Sequence, residues 1–144
     1  MMSAPAPLLA VDKLSVFYDA FQAVHDVDLT VGAGEIVSII GANGAGKSSF
    51  LKALVRQAGR VTGAALFDGE DLSAFSTRDI VAKGIALVPE GRKLFPSLTV
   101  LENLRIGWEL GRRRDIGLDE IFGWFPVLAE RRDQRARELS GGQQ

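Results

Sequence analysis

Between Leu8 and Val31 apolar and polar residues alternate. Leu14, Val16 and Tyr18 fall on one side of an extended chain, with Ser15, Phe17 and Asp19 on the other. Val27, Leu29 and Val31 alternate with Asp26, Asp28 and Thr30 in the same way. A period of two predicts half-buried, antiparallel strands. After a turn at Val31-Gly32-Ala33-Gly34 the pattern changes. Glu35-Ile36-Val37-Ser38-Ile39-Ile40 is nearly all apolar and β-branched, as expected of a strand buried on both faces. Gly41 to Gly46 interrupts it. Ser48 to Ala58 then reads as a helix, with Phe50, Leu51, Leu54, Val55 and Ala58 along one stripe.

A further strand is predicted over Ala64 to Phe67, closed by the turn-forming Asp68-Gly69. Ser76-Thr77-Arg78-Asp79 suits a helix start, with a serine cap and an acid in the first turn, and Gly84 should end that helix. Ile85-Ala86-Leu87-Val88 reads as a short buried strand stopped by Pro89. Beyond it the pattern becomes helical. Thr99-Val100-Leu101-Glu102 is a capping-box sequence, and Leu101, Leu104, Ile106, Trp108 and Leu110 predict a substantially buried helix. Asp119 to Phe125 predicts a shorter helix ended by Pro126, and residues 127 to 138 a third, strongly charged one.

Composition narrows the chemistry. Of the 144 residues 47% are apolar and 24% charged, which excludes a disordered chain. Seventeen basic against eighteen acidic residues leave no global field to attract nucleic acid or an anionic bilayer. With no cysteine and one histidine, disulfides, thiolate metal sites and cysteine nucleophiles are excluded. Met1 to Pro7 has no basic residue and two prolines, unlike a secretory signal. Arg112, Arg113, Arg114, Arg131, Arg132, Arg135 and Arg137 are interleaved with Asp115, Glu130, Asp133 and Glu138, which predicts a solvated face and not a nucleic-acid surface. Glycine stands out, at 16 residues.

Residues 41–48, G-A-N-G-A-G-K-S, explain why glycine placement matters, since this run satisfies G-x-x-x-x-G-K-[ST]. Gly44 and Gly46 let backbone N–H groups approach phosphate oxygens with no side chain between. Lys47 supplies a positive charge for β- and γ-phosphates, and the Ser48 hydroxyl suits Mg²⁺. The helix that follows presents its positive dipole end. This loop alone does not choose among kinases, GTPases, helicases and transport ATPases.

About ninety residues later the chain reads Leu139-Ser140-Gly141-Gly142-Gln143. Ser140 offers a hydroxyl donor, and Gly141 and Gly142 expose backbone N–H groups. With this second motif the sequence resembles the ATP-binding subunits of ABC transporters from about Leu8 to Gln144. The resemblance implies an α/β P-loop NTPase of ABC type. An antiparallel β strip and the first part of a RecA-like parallel-sheet core would occupy 8–91, and a helical subdomain 92–144.

The resemblance further implies that ATP is held by Gly41, Ala42, Asn43, Gly44, Ala45, Gly46, Lys47, Ser48 and Ser49, with Tyr18 stacking on adenine. Ser140, Gly141, Gly142 and Gln143 would read the γ-phosphate in trans, across a head-to-tail dimer of like or unlike ATPase subunits. Val88-Pro89-Glu90 falls at the family's Q-loop, where most members have glutamine. Glu90 there, with Gly91-Arg92 and then Phe95-Pro96-Ser97-Leu98-Thr99-Val100, looks like the subgroup powering branched-chain amino acid importers. Lys47 and Glu90 would then be catalytic, and Ser48 and Glu90 would meet Mg²⁺. The partners implied are ATP, a second ATPase subunit and membrane permease subunits, without nucleic acid. The implied location is peripheral, on the cytoplasmic face of the inner (plasma) membrane.

The family also has an apolar strand ending in Asp-Glu and a later switch histidine. Leu118-Asp119-Glu120 lacks the preceding apolar strand, and His25 lies upstream of the P-loop, where a hydrogen-bonded turn or strand histidine is expected. The chain therefore reads as the N-terminal part of such a subunit, truncated after the signature and without turnover by itself. A soluble ABC-type ATPase without a permease, or a nucleotide-binding fragment without catalysis, are the alternatives.

Overall fold

The computed structural model describes residues 6–110 and 116–144. Two compact units form, Met1–Ile80 and Val81–Gln144, so the division falls between Ile80 and Val81, whereas the sequence suggests a boundary after Gly91. Arg112, Arg113, Arg114 and Asp115 of the predicted charged face lie outside the described residues.

The first unit is built on the alternating segments. They form β1 (Leu9–Tyr18) and β2 (Phe21–Val31), antiparallel, with Leu9 opposite Val31 and Tyr18 opposite Phe21. The register shifts between Val11 and Leu14 and again before Val16. An extra residue at such a bulge turns the strand, so Leu14, Ser15 and Val16 are buried in succession and strict alternation fails. Buried Ser15 is satisfied there: its Oγ donates to Asp26 Oδ1 at 2.8 Å and accepts from the Asp26 N–H at 2.8 Å.

β3 (Arg60–Phe67) pairs with the other edge of β1 and starts earlier than the predicted Ala64. Asp68 (φ 51°) and Gly69 (φ 78°) turn it into the short β4 (Glu70–Asp71). Two positive φ values suit the tight hairpin that an Asp-Gly pair favours. The sheet order is β2-β1-β3-β4.

Helix α1 (Lys47–Leu54) packs on this sheet, and Phe50, Ala53 and Leu54 join Val11, Leu14, Val16 and Val24 in one core. The helix is shorter than the predicted Ser48–Ala58. Arg56 takes φ 56°, its N–H donates to Ala53 O at 3.0 Å, and the Gln57 N–H donates to Lys52 O at 2.8 Å. That pair of bonds is a Schellman termination, built here without the glycine that would have announced it. Leu51, expected on the buried stripe, is 40% exposed.

The two runs expected as buried strands form no ladder. Ile36 and Ile40 are each 94% exposed and Val88 is 88% exposed. An interior strand obtains its hydrogen bonds and its burial from neighbours on both sides, and no strand among the described residues pairs with either run.

Helix α2 (Thr77–Lys83) begins as expected: Ser76 Oγ accepts from the Asp79 N–H, and Asp79 Oδ2 accepts from the Ser76 N–H. It stops at Gly84, φ 108°. In the second unit α3 (Val100–Leu110) has the predicted capping box, with Thr99 Oγ1 accepting from the Glu102 N–H at 3.1 Å and Glu102 Oε2 accepting from the Thr99 N–H at 2.7 Å. Its apolar residues Leu101, Leu104, Ile106 and Trp108 are only half-buried, and Val100 is the buried one. The side chain of Leu110 lies outside the description. The Asn103 amide fastens the preceding loop to this helix, accepting from the Phe95 N–H at 2.9 Å and donating to Thr99 O at 2.9 Å.

The hydrogen bond from the Thr99 N–H, followed by that from its hydroxyl, holds the Glu102 carboxyl below the ordinary glutamate range. A lowered pKa in the folded chain adds stability above the unfolded value, and that contribution disappears as pH falls through the folded value. Removing the cap with Thr99→Ala should cost about 1 kcal/mol. Glu102→Gln, which removes the titrating carboxyl itself, should flatten the acid limb of the denaturation curve below about pH 4. An unchanged acid limb by circular dichroism would count against the capping role.

Helices α4 (Leu118–Trp124) and α5 (Pro126–Glu130) follow, the latter with proline at its start. The single helix expected over 127–138 does not form. Instead the chain turns and runs back past the start of α3: the Val100 N–H donates to Gln134 O at 2.9 Å, Leu101 to Arg132 O at 2.9 Å, and Ala136 to Leu98 O at 2.9 Å. Bonds from outside the segment replace those a helix would make within it. A one-turn 3-10 helix, Ala136–Glu138, leads to the chain's last motif.

Candidate functional site

The P-loop lies in the first unit, between the unpaired Ile36–Ile40 run and α1. The Ala45 N–H donates to Ala42 O at 3.2 Å, closing a tight turn, and the Phe50 N–H bonded to Gly46 O at 2.8 Å begins the helix. Gly46 adopts φ 88° as the residue before α1, and no side chain caps the helix. A Cβ at Gly46 would lie 2.2 Å from Ala23 O and 3.1 Å from Val24 Cγ2. Glycine is therefore demanded twice, by the left-handed backbone and by the close passage of β2. The uncapped end of α1 presents backbone donors and a positive dipole end, the requirements of an anion site.

Lys47 Nζ donates to Gly41 O at 2.7 Å and to Ala42 O at 2.7 Å. An ammonium has three donors, and two of them hold this one across the mouth of the loop. Behind the loop, a cavity of about 270 Å³ is lined by Val24, Val27, Leu29, Ser38 to Ile40, Ala45 to Lys47 and Phe50. Ala42, Asn43, Gly44 and Ala45 are exposed, and Ser48 and Ser49 fall in the first turn of α1.

Tyr18 closes β1 opposite Phe21 and is 39% exposed. The hairpin end bearing these two aromatics is the end at which Ala23 meets Gly46. Phe21, 68% exposed, was not singled out from the sequence; an aromatic at the tip of a hairpin with nothing to bury it was the available signal. His25 is exposed on β2.

Glu90 and the signature motif belong to the second unit. Glu90 is exposed in a turn just ahead of Gly91, Arg92 and Lys93, all with positive φ. Leu139 is buried and anchors the signature, while Ser140, Gly141 and Gly142 are exposed. The Gln143 and Gln144 N–H groups both donate to Ser140 O, at 3.0 and 3.2 Å, so Ser140 to Gln144 form one helical turn. Gln143 Oε1 accepts from the Ser140 N–H at 3.1 Å. This is half of a capping box, S-x-x-Q. The glutamine thus shapes the turn through its own side chain, a role the sequence reading had not separated from phosphate contact. The signature also has an unforeseen neighbour in Arg92, whose guanidinium lies against Gly141.

No group of three or more His, Asp or Glu side chains that could hold a metal occurs among the described residues. Mg²⁺ bound with a nucleotide needs few protein ligands, because phosphates and waters complete its octahedron. Ser48, in the first turn of α1, fits such a limited role. No helix of the described residues is long and apolar enough to cross a membrane.

Residues 24–144 match the sequence profile of the family described as ABC transporter. The chain is 44% identical over 139 residues to the high-affinity branched-chain amino acid transport ATP-binding protein BraG of Pseudomonas aeruginosa, an alignment covering 95% of this chain and 60% of that protein. It is 40% identical over 106 residues to the ribose import ATP-binding protein RbsA of Yersinia pestis, covering 74% of this chain and 21% of that one. A solved structure of an ATP binding subunit of an ABC transporter superposes with a TM-score of 0.80 at 30% identity, over 94% of this chain and 57% of that chain. The chain thus spans little more than half the length of the BraG protein and of that solved subunit. With the P-loop and the signature turn both inside the matched span, this chain belongs to the family described as ABC transporter.

Proposed function

We propose that this chain forms the nucleotide-binding portion of an ATPase subunit that drives import of branched-chain amino acids. The observation that carries the nucleotide reading is the uncapped start of α1 behind a left-handed Gly46, with the Lys47 ammonium held across the loop. Backbone donors of Gly44 to Ser49 would surround the β- and γ-phosphates, and Lys47 would neutralise their charge. Tyr18, with Phe21 beside it, would offer a face for adenine. Ser48 would give Mg²⁺ one oxygen, and Glu90 would act on the metal or the attacking water through a carboxylate. Ser140 to Gln143 would complete the site on ATP held by a second subunit, in a head-to-tail dimer seated on permease subunits at the cytoplasmic face of the inner membrane. Hydrolysis of ATP to ADP and phosphate would follow in that assembly. The choice of branched-chain amino acids rests on the likeness to BraG and on Glu90-Gly91-Arg92; the likeness to RbsA makes ribose the competing cargo.

In the full-length subunit, Lys47→Ala should weaken MgATP binding at least about tenfold, ~1.4 kcal/mol. Unchanged affinity by titration calorimetry would overturn the P-loop assignment. In membrane vesicles carrying the assembled transporter, ATP-dependent leucine uptake should vanish with Lys47→Ala. Vesicles that take up ribose and exclude leucine would overturn the substrate assignment while leaving the nucleotide site intact.

A further inference from the structure

The signature turn has a cationic neighbour that its own motif does not contain. Gly91, Arg92 and Lys93 take successive left-handed conformations, φ 73°, 61° and 50°, and the Lys93 N–H donates to Gly91 O at 2.6 Å. Side-chain-bearing residues rarely adopt such φ values unless their surroundings hold them there. The bend delivers the Arg92 side chain to the Ser140–Gln144 turn. A Cβ at Gly141 would lie 3.0 Å from Arg92 Nη2 and 3.7 Å from its Cζ, so a side chain at 141 would press on the guanidinium, which would have to give by a few tenths of an ångström. Arg92 Nη1 also donates to Gln144 Oε1 at 3.4 Å. The other end of the Gln144 amide donates to Ala136 O at 3.0 Å and Leu139 O at 3.1 Å. Ala136 and Leu139 are buried, so Gln144 links Arg92 to a fixed part of the unit.

We propose that Arg92 is a positioning residue of the signature turn, bracing it through Gln144 and lying against Gly141 so that Ser140 and the Gly141 backbone keep the geometry that meets the γ-phosphate. The inference rests on the phosphate-binding reading of this turn. It gives Gly141 a second reason to be glycine: room for a cation. Arginine is always protonated, and its fork reaches Gln144 through Nη1 while Nη2 lies beside Gly141, which a single lysine ammonium cannot reproduce.

The test uses the full-length subunit with Arg92→Ala, Arg92→Lys, Gly141→Ala and the Arg92→Ala/Gly141→Ala double variant. The readouts are monomer affinity for MgATP, the MgATP concentration at half-maximal dimerisation, and kcat and KM of the assembled transporter. Arg92→Ala should raise the half-dimerisation concentration and lower kcat by about tenfold each, the scale of one charged hydrogen bond. Monomer affinity and KM should stay within about twofold, and Arg92→Lys should recover only part of the loss. Gly141→Ala, which presses on the guanidinium, should cost less than Arg92→Ala in the native background and less than about twofold on top of Arg92→Ala. Fully additive losses, or dimerisation unchanged by Arg92→Ala, would overturn the proposal. Lys47→Ala run beside them separates the two levels: native monomer affinity there overturns the nucleotide reading itself.

Discussion

Gly46→Ala is expected to weaken nucleotide binding far more than the same change at Gly44, two residues earlier in the loop. The added Cβ would stand 2.2 Å from Ala23 O, which belongs to the backbone of β2 and has no rotamer to move to. Alanine at φ 88° carries a further conformational penalty of about 1 kcal/mol. Relief requires α1 and the loop to move off the sheet, which misdirects the donors at the helix start. MgATP affinity in the full-length subunit should fall by about a hundredfold or more, ~2.8 kcal/mol. Gly44→Ala is the control. Gly44 shares the positive φ of 86°, but a Cβ there meets nothing within 4 Å, so its cost should be conformational, about 1 kcal/mol. Titration calorimetry on the two variants decides the matter. Equal losses would mean that the close passage of β2 is irrelevant and only backbone conformation counts.

Gly141→Asp should leave monomeric nucleotide binding close to native and eliminate ATP-driven dimerisation and turnover. Lys47 and the signature turn belong to different compact units, and the helix-end field at the turn acts only within about one helical turn. In the proposed head-to-tail dimer that reach comes from the second subunit. A carboxylate at 141 would face the triphosphate of the partner's ATP and would also neutralise Arg92, whose Nη2 lies 3.0 Å from the position of the new Cβ. Both effects oppose closure, so the loss should exceed that of Gly141→Ala. Sedimentation with MgATP measures the dimer fraction, and nucleotide fluorescence measures monomer affinity. A loss of monomer affinity equal to that of Lys47→Ala would place the turn in its own subunit's pocket and end the trans-acting account.

The sequence by itself determined the features whose cause is local. Alternation over Leu8–Val31 specified the β1–β2 hairpin, because one face of an antiparallel pair must be apolar. Asp68-Gly69 specified the β3–β4 turn, and Ser76, Thr99 and Glu102 marked the starts of α2 and α3, because turns and caps are satisfied by residues a few positions away. G-x-x-x-x-G-K-S was legible for the same reason: every group the loop needs lies within eight consecutive residues. What depends on distant partners was not legible. Ile36–Ile40 and Ile85–Val88 have the composition of buried strands, but pairing is supplied by neighbours, and among the described residues none is present. Residues 127–138 have helical composition, yet backbone bonds from Leu98, Val100 and Leu101 divert them. The bulge that buries Ser15 required Asp26 across the strand, eleven residues away. At the candidate site the motifs announced Lys47, Ser140 and Gly141, but only the tertiary structure revealed the Ala23 carbonyl beneath Gly46 and the Arg92 guanidinium against Gly141. Neither contact leaves a spacing signal, because the chain between the two partners is free to vary in length and path.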